Sequence, residues 1–285
     1  MHIVQILILA IVQGIAELLP VSSSAHVILA EKLMGLDPTA PAMTLLLVML
    51  HTGTMFAVIV YFWKSWKKTY FQSTQQFFLN LSRLIIATFA TGVIGLAFLL
   101  GAKKLMAHSS PHFEIEQLFG NLHLIAASLA AVGVLIIISS LKQKHQHNDI
   151  SATHSLIIGI VQGLCLPFRG FSRSGATIST SLLLGVNRQR AEEFSFALAV
   201  ILTPVVIAKE GYRIFKYDSS AVAAGTHHLS ISLGHAFGMG LLGMVFSFLA
   251  GLAAMRWLSS WLENGRWHWF GCYCIVVSAL VFTFS

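Results

Sequence analysis

The chain has 285 residues, of which 56% are hydrophobic and only 10% are charged, and its formal net charge is +7. Soluble domains carry about 25% charged residues, so this composition excludes an ordinary soluble protein. The basic residues lie mostly in short loops between apolar runs, without a basic stripe, which argues against a nucleic-acid partner. We therefore expect an all-α integral membrane protein whose surroundings are the bilayer.

Six apolar runs are long enough to cross a bilayer, a distance that takes about 20 helical residues. They are residues 43–63, 83–101, 118–141, 191–209, 232–255 and 267–284. Short loops between these runs hold most of the lysine and arginine residues. The sequence therefore predicts six transmembrane helices.

Two further apolar stretches, residues 2–34 and 154–186, are each interrupted by a polar segment. The interruptions are ELLPVSSSAH at 17–26 and LPFRGFSRSGAT at 166–177. Each leaves flanking helices that are too short to cross a bilayer alone. Because non-helical backbone at membrane depth is tolerated only when it is buried in protein or faces water, we predict two re-entrant helical hairpins with internal tips.

The two hairpins look like copies of one another. The letters IVQG occur at 11–14 and again at 160–163, and SSSA at 22–25 parallels SRSG at 172–175. Each hairpin precedes three predicted spans, so the second copy has to enter from the opposite face. This order predicts an inverted-topology repeat, which brings two broken helices together near the midplane.

We accordingly expect a single membrane domain over residues 1–285. Its first repeat covers 1–149, with hairpin 2–34 and three spans, and its second covers 150–285, with hairpin 154–186 and three spans.

The distribution of basic residues predicts the orientation. The face reached after the first span holds ten: Lys64, Lys67, Lys68, Arg83, Lys142, Lys144, Arg188, Arg190, Arg256 and Arg266. The other face holds six: Lys32, Lys103, Lys104, Lys209, Arg213 and Lys216. Because cytoplasmic loops carry an excess of Lys and Arg, the first face is predicted to be cytoplasmic and both termini to lie outside.

Glu17 is a carboxylate among apolar neighbours in the first hairpin. An ionisable residue inside a membrane segment is costly and is a functional candidate, although it could also pair with an arginine for structure. Gln13 lies one helical turn earlier on the same face. Together the two could hold Mg²⁺ or Ca²⁺, because hard cations prefer oxygen ligands.

Ser22, Ser23 and Ser24 precede a short helix whose first turn contains His26. One serine would suffice as a helix cap, whereas three in a row, with free N–H groups and the positive end of the helix dipole, favour an anion site. A lone histidine is more often a packed side chain, but this one lies three residues after Ser23. We predict that it takes part in chemistry.

Arg173 is the main cation candidate for binding a phosphate. It stands between Ser172 and Ser174, and Gly175 and Thr177 follow it at the start of a second short helix. A guanidinium group matches phosphate through two parallel hydrogen bonds, and a glycine permits close approach of the backbone. Arg169 is a possible second clamp or reaches the membrane interface.

Two other polar groups have ordinary explanations beside functional ones. His51, Thr52 and Thr54 lie in the first span and could line a cavity, although Gly and Thr also serve helix packing. Glu192 and Glu193 follow the start of a helix, where the helix dipole favours acidic residues.

The segments QGIAELLPVSSSAH (13–26) and RGFSRSGATIS (169–179) together resemble the bacterial undecaprenyl-diphosphate phosphatase family, which is linked to bacitracin resistance. HTGTMFAVIVYF (51–62) and ALAVILTP (197–204) are also similar to that family, so the resemblance covers nearly the whole chain. It implies six spans, two re-entrant hairpins, dependence on a divalent cation and a bacterial inner-membrane location. The implied activity removes the terminal phosphate of undecaprenyl diphosphate and regenerates the carrier for cell-wall polysaccharides.

Carried over residue by residue, the resemblance implies three groups of site residues. The catalytic residues would be Glu17, Ser23, His26 and Arg173. The substrate-binding residues would be Ser22, Ser24, Arg169, Ser172, Ser174, Gly175 and Thr177, and the metal ligands Gln13 and Glu17. The chain departs from the family pattern at Gln13, where many members have Glu, and at Arg169, which stands where the second motif usually has Pro.

The residues leave the nucleophile open. It could be Ser23 activated by His26 or Glu17, a water activated by His26, or His26 itself. The main alternative function is a polyprenyl-phosphate transporter or flippase that uses the same site for binding only, because inverted repeats with broken helices are common in transporters. The oligomeric state is not predicted.

Overall fold

The computed structural model describes residues 2–36, 41–107, 121–141, 147, 149–168, 170–223 and 229–283. Within these ranges the chain forms ten α-helices and no β-strand, apart from an isolated bridge between His147 and Val186. The helices are α1 (Ile3–Leu18), α2 (Ser23–Leu33), α3 (Pro41–Tyr70), α4 (Thr74–Ala107), α5 (Leu122–Leu141), α6 (Ala152–Cys165), α7 (Arg173–Leu183), α8 (Arg188–Ala223), α9 (Leu229–Glu263) and α10 (His268–Thr283). The predicted all-helical class is confirmed for the described residues.

Five helices are long and apolar enough to cross a membrane, and they correspond to five of the six predicted spans. The spanning segments are Met43–Tyr70, Thr74–Gly101, Leu122–Leu141, Arg188–Ala208 and Phe237–Glu263. Large apolar side chains on these segments are exposed, as at Phe89 (72%) and Val205 (65%). Such exposure is unfavourable in water and favourable in lipid, which makes the chain a multi-pass membrane protein.

The predicted span 267–284 corresponds to α10, which has 16 residues. At 1.5 Å per residue this helix is about 24 Å long, shorter than the ~30 Å hydrocarbon core of a typical bilayer. A sixth crossing therefore stays a prediction.

The two interrupted stretches each form a short helix, a break and a second short helix. The first break separates α1 from α2, and the second separates α6 from α7. None of these four helices exceeds 16 residues, whereas a crossing takes about 20. The predicted breaks are confirmed at both places, and the re-entrant insertion of the hairpins stays a prediction.

Both breaks contain left-handed backbone. Gly170 has a φ of 107°, and a Cβ added there would lie 2.5 Å from the carbonyl oxygen of Ile125, so only glycine fits. Ser22 has a φ of 67° although it is not a glycine. A side chain held in this region costs about 1–3 kcal/mol, and such residues concentrate at functional sites.

The chain divides into two compact units, each of which takes residues from both predicted repeats. Unit 1 contains Met1–Leu18, His26–Tyr61 and Ala199–Arg256, and unit 2 contains Leu19–Ala25, Phe62–Leu198 and Trp257–Ser285. The assignment of residues 1–149 and 150–285 as repeats stays a prediction.

In unit 1, α1 and α2 pack on the first part of α3 through a buried apolar cluster. The cluster consists of Ile6, Leu9, Ala10, Val27, Met43, Leu46 and Leu50. Helix α1 also packs closely on α9, because a Cβ added at Gly14 would lie 2.7 Å from the carbonyl oxygen of Ser247. The hydroxyl of Ser247 donates to the carbonyl oxygen of Leu50 at 2.7 Å, which ties α9 to α3.

In unit 2, α7 packs against both α5 and α6, while α4 packs on α6 and α10 packs on α5. The buried indole nitrogen of Trp267 donates to the hydroxyls of Ser139 on α5 and Ser179 on α7, each at 3.1 Å. The buried side-chain nitrogen of Gln162 on α6 donates to the hydroxyl of Thr91 on α4 at 3.0 Å. These hydrogen bonds satisfy polar groups that would be costly to leave unpaired in an apolar interior.

The two IVQG copies make equivalent contacts within their own units. Gly14 contacts Ser247 and Ala250 of α9, the second long helix of the second predicted repeat. Gly163 contacts Thr91 and Ile94 of α4, the second long helix of the first predicted repeat. In each case the small residue lets two helices approach closely.

A buried polar network in unit 2 joins α3, α4 and α8. Arg190 donates to the side-chain oxygen of Asn80 at 2.7 Å and to Oε2 of Glu193 at 3.5 Å. Glu193 also accepts hydrogen bonds from Ser65 and Thr69 of α3. Partners on neighbouring helices therefore stabilise Glu193 in addition to the helix dipole that the sequence suggested.

Candidate functional site

Glu17 lies in the last turn of α1, and its side chain is 16% exposed. Gln13, one turn earlier, is buried, and its side-chain nitrogen donates to Oε2 of Glu17 at 3.1 Å. The two side chains lie on one helix face, as their spacing predicts. Since only the NH₂ end of an amide can donate to a carboxylate, Gln13 turns its nitrogen toward Glu17.

His51 on α3 faces the same carboxylate within unit 1. Its Nε2 lies 3.7 Å from Oε2 of Glu17, and its Nδ1 lies 2.8 Å from the carbonyl oxygen of Leu47. The neighbouring hydroxyls donate to backbone carbonyl oxygens of α3 itself, Thr52 to that of Val48 and Thr54 to that of His51. Of the polar residues predicted to line a cavity in the first span, His51 is the one that approaches Glu17.

The serine segment runs from the break into α2. Ser22 is buried in the left-handed turn, Ser23 is the first residue of α2 and is partly buried, and Ser24 is exposed. His26 follows in the first turn of α2 and is partly buried. The helix begins earlier than predicted, because Ser23 and Ser24 lie inside α2 and do not precede it. The catalytic and binding roles of these four residues stay predictions.

Arg173 is the first residue of α7 and is partly buried. Ser172 caps this helix, because its hydroxyl accepts a hydrogen bond from the backbone N–H of Gly175 at 3.2 Å. The hydroxyls of Ser172 and Ser174 lie 3.3 Å apart, and both residues are buried. The guanidinium group is thus carried by the N-terminal turn of a helix, where the helix dipole favours an anion.

Thr177 is fully buried, and its hydroxyl holds the first turn of α7. It donates to the carbonyl oxygen of Arg173 at 2.9 Å and lies 2.6 Å from the hydroxyl of Ser195 on α8. Sequence reasoning missed Ser195. The available signal was a small polar residue inside an apolar span, which is a common helix-packing feature in membranes.

The second motif meets the first motif's break inside unit 2. The hydroxyl of Ser174 donates to the carbonyl oxygen of Leu19 at 3.4 Å. A Cβ added at Gly175 would lie 3.2 Å from a side-chain carbon of Pro20, so the absent side chain permits this approach. Leu19 and Pro20 belong to ELLPVSSSAH, so residues of the two predicted tips are in direct contact.

Arg169, the predicted second clamp, lies outside the described residues.

The described part of the chain contains no group of three or more His, Cys, Asp or Glu side chains able to hold a metal ion. Glu17 and His51 offer one oxygen and one nitrogen ligand at a separation of 3.7 Å. Because divalent cations also take water and substrate oxygens as ligands, the end of α1 around Glu17 fits a cation that is only partly enclosed by protein.

A family model described as "Bacitracin resistance protein BacA" matches residues 6–280. That range includes both polar interruptions, 17–26 and 166–177, and all five spanning segments. The chain belongs to the BacA family.

Relatives of this BacA chain extend over its full length. It is 58% identical over 285 residues to "Undecaprenyl-diphosphatase 2" of Acinetobacter baylyi, covering 100% of this chain and 99% of the relative. It is 31% identical over 293 residues to an "Undecaprenyl-diphosphatase" of Christiangramia forsetii, covering 100% of both chains. A third relative of that name, from Korarchaeum cryptofilum, is 30% identical over 298 residues, covering 99% of this chain and 98% of the relative. The resemblance seen in the BacA motifs is thereby confirmed.

Proposed function

We propose that this BacA-family protein hydrolyses undecaprenyl diphosphate to undecaprenyl phosphate and inorganic phosphate, recycling the lipid carrier for cell-wall polysaccharide synthesis. Full-length relatives named undecaprenyl-diphosphatase support this activity. The structural observation that carries it is the hydrogen bond from Ser174 to Leu19, which joins the two motif segments across 155 positions of sequence. Two polar breaks in contact are what a membrane-embedded headgroup site needs.

In this proposal Arg173 and the N-terminus of α7 bind the diphosphate. A guanidinium fork can donate two parallel hydrogen bonds to a phosphate, and the helix N-terminus adds N–H donors and a partial positive charge. Ser172 and Ser174 keep that turn in place, since one caps the helix and the other donates to Leu19. Two further residues support the Arg173 turn. Thr177 donates to the Arg173 carbonyl oxygen, and Gly175 lets the turn pack closely on Pro20.

Glu17 and the side-chain oxygen of Gln13 would hold the divalent cation, such as Mg²⁺ or Ca²⁺, while the Gln13 nitrogen orients the carboxylate through its 3.1 Å hydrogen bond. Bound there, the cation would supply charge neutralisation for phosphate oxygens that become more negative as the phosphoanhydride bond breaks. Preorganised positive charge of this kind is usually the largest contribution to catalysis.

Three routes of attack on the terminal phosphorus remain within the proposal. The hydroxyl of Ser23 can attack after losing its proton to His26 or Glu17, a water can attack after His26 removes its proton, or the ring of His26 can attack directly. The first and third routes break the phosphoanhydride bond, release undecaprenyl phosphate and form a phosphoenzyme, which one water then hydrolyses to inorganic phosphate. Rapid-quench mass spectrometry distinguishes these routes, because only those two add a phosphoryl group to the chain.

We further propose six spans and two re-entrant hairpins in an inverted repeat. The equivalent packing of Gly14 and Gly163 supports this arrangement, because each glycine contacts the second long helix of the opposite predicted repeat. The polyprenyl tail would lie in the bilayer along the exposed apolar helix faces, with the headgroup entering sideways.

The proposed location is the bacterial inner membrane, with the site opening toward the periplasm. The count of ten basic residues against six supports a cytoplasmic location for the end of α3 that contains Lys64, Lys67 and Lys68. A water-soluble short-chain polyprenyl diphosphate, added outside intact spheroplasts, should then be hydrolysed without entering the cell. Hydrolysis that requires permeabilised cells would contradict this orientation.

The direct test uses purified protein in lipid nanodiscs with undecaprenyl diphosphate and Mg²⁺, with protein-free nanodiscs as the control. We expect release of inorganic phosphate, measured colorimetrically, together with an equal amount of undecaprenyl phosphate, measured by mass spectrometry. Saturable lipid binding without phosphate release would instead favour the transporter alternative.

A further inference from the structure

The hydrogen bonds of His51 fix which ring nitrogen carries a proton. Nδ1 lies 2.8 Å from the carbonyl oxygen of Leu47, and a carbonyl oxygen can only accept a hydrogen bond. Nδ1 therefore donates, which leaves Nε2 as the ring nitrogen that could bind a metal ion. Because this contact is made within one turn of α3, the ring direction is set by the helix itself.

The Nε2 atom of His51 points at the carboxylate of Glu17. The 3.7 Å between Nε2 and Oε2 is longer than a hydrogen bond, so the two atoms are not bonded directly. The two atoms face each other in a partly buried setting, so an ion placed between them would be within reach of both. Gln13 donates to the same Oε2 and holds the carboxylate in this direction.

We infer that His51 Nε2 and Glu17 Oε2 are two ligands of one divalent cation. Two metal–ligand bonds of about 2.1 Å span up to roughly 4.2 Å, so a single ion can contact both atoms at their present separation. The remaining positions of the ion are left for water and for substrate oxygens. The Gln13 nitrogen orients the carboxylate, and His51 supplies the nitrogen ligand of the ion.

The ligand set decides which cation the site prefers. Mg²⁺ and Ca²⁺ favour sites made only of oxygen, whereas ions of the first transition row also accept imidazole nitrogen. A site with one carboxylate and one imidazole should therefore bind Mn²⁺ more tightly than Mg²⁺ or Ca²⁺. This inference deepens the proposed function, but cation binding can be measured without the lipid substrate.

The experiment is electron paramagnetic resonance of Mn²⁺ bound to the full chain in nanodiscs, purified without a histidine tag. Pulsed spectra should show coupling to a ¹⁴N nucleus, and biosynthetic labelling with ¹⁵N-histidine should convert it to ¹⁵N coupling. His51→Gln should remove the coupling and weaken Mn²⁺ binding by at least about tenfold, the smallest loss expected even for a residue supporting a metal ligand. His123→Gln, which changes an exposed histidine on α5, is the matched control and should leave both unchanged.

The inference is overturned by Mn²⁺ binding without nitrogen coupling, by coupling that persists in His51→Gln, or by the absence of saturable Mn²⁺ binding. Circular dichroism and gel filtration show whether His51→Gln is folded. If it is not, the nitrogen coupling in the spectrum of the unmutated protein still tests the inference. Phosphate release by the same samples separates the two proposals. Normal release with no nitrogen coupling would refute the histidine ligand and leave the phosphatase proposal standing.

Discussion

The hydroxyl of Thr177 shows how a residue without access to a ligand can serve the candidate site. It is fully buried and donates to the carbonyl oxygen of Arg173, while Ser195 supplies the adjacent hydroxyl at 2.6 Å. Because Thr177 Oγ1 uses its own proton on Arg173, Ser195 is the donor in their mutual hydrogen bond. The position of the Arg173 turn therefore depends on a residue of α8.

Ser195→Ala should lower kcat for phosphate release by about 3- to 10-fold, which corresponds to the roughly 1 kcal/mol of one buried hydrogen bond. The effect should fall on kcat more than on KM, since the arginine is retained but less well oriented. Ser195→Thr keeps the hydroxyl and should restore turnover.

Ser181→Ala is the matched control for this change, because the Ser181 hydroxyl is also buried but donates to Thr177 O within its own helix. Full turnover by Ser195→Ala, or equal losses in Ser195→Ala and Ser195→Thr, would show that the hydroxyl has no positioning role.

Residue types and spacing predicted some of the site and not the rest. The four-residue interval between Gln13 and Glu17 predicted their shared face, and the structure has them hydrogen bonded. The spacing could not show that the amide turns its nitrogen toward the carboxylate, nor that His51 approaches it from α3. Both depend on tertiary packing, which local periodicity does not contain.

At the scale of helices, the apolar runs predicted where the spanning segments lie, but they did not predict where each helix begins and ends. The run 83–101 lies inside α4, which begins at Thr74, and the run 191–209 lies inside α8, which continues to Ala223. Apolar composition marks the part of a helix that lies in lipid, whereas hydrogen bonding continues the helix beyond it. The breaks were predictable because proline and clustered serines disfavour helix locally.

The network around Arg190 ties three of these helices together near their ends. Its side chain is 9% exposed, that of Glu193 is 4% exposed, and the guanidinium also lies over the ring of Tyr70 at 5.2 Å. Removing one partner of a buried ion pair leaves an uncompensated charge in the interior. The free-energy cost of that charge exceeds the stability that the intact pair contributes.

Arg190→Ala should therefore destabilise the protein by about 3–5 kcal/mol and lower its thermal midpoint by roughly 10 °C. Scanning fluorimetry of the intrinsic tryptophans in detergent measures this change. Arg188→Ala is the control, because Arg188 donates to the carbonyl oxygen of Glu263 in an exposed setting and should shift the midpoint by no more than about 2 °C. Equal midpoints for the two variants would mean that the Arg190 network carries little stability.

At the scale of the whole molecule, the occurrence of IVQG at 11–14 and again at 160–163 predicted an internal repeat. The structure adds that both copies use their glycine for the same kind of close helix contact, Gly14 with α9 and Gly163 with α4. Only the predicted repeat suggested that Ser174 and Leu19 would come together, since nothing local links residues so far apart. Helix α10, His268–Thr283, lies within the apolar run 267–284 that predicted it.

The central proposal is that the acidic and the basic hairpin act on one diphosphate. A double-mutant cycle on kcat/KM for phosphate release, with Glu17→Gln, Arg173→Lys and the double variant, tests it most directly. Each single change should lower kcat/KM by about 10²–10³-fold, since Lys lacks the guanidinium fork and Gln lacks the charge.

Groups that act as a unit give strongly non-additive losses. The kcat/KM of the double variant should therefore be no more than about tenfold below that of the less active single variant. A double-variant loss equal to the product of the two single losses would contradict the joint site, because it would mean that the two tips act independently.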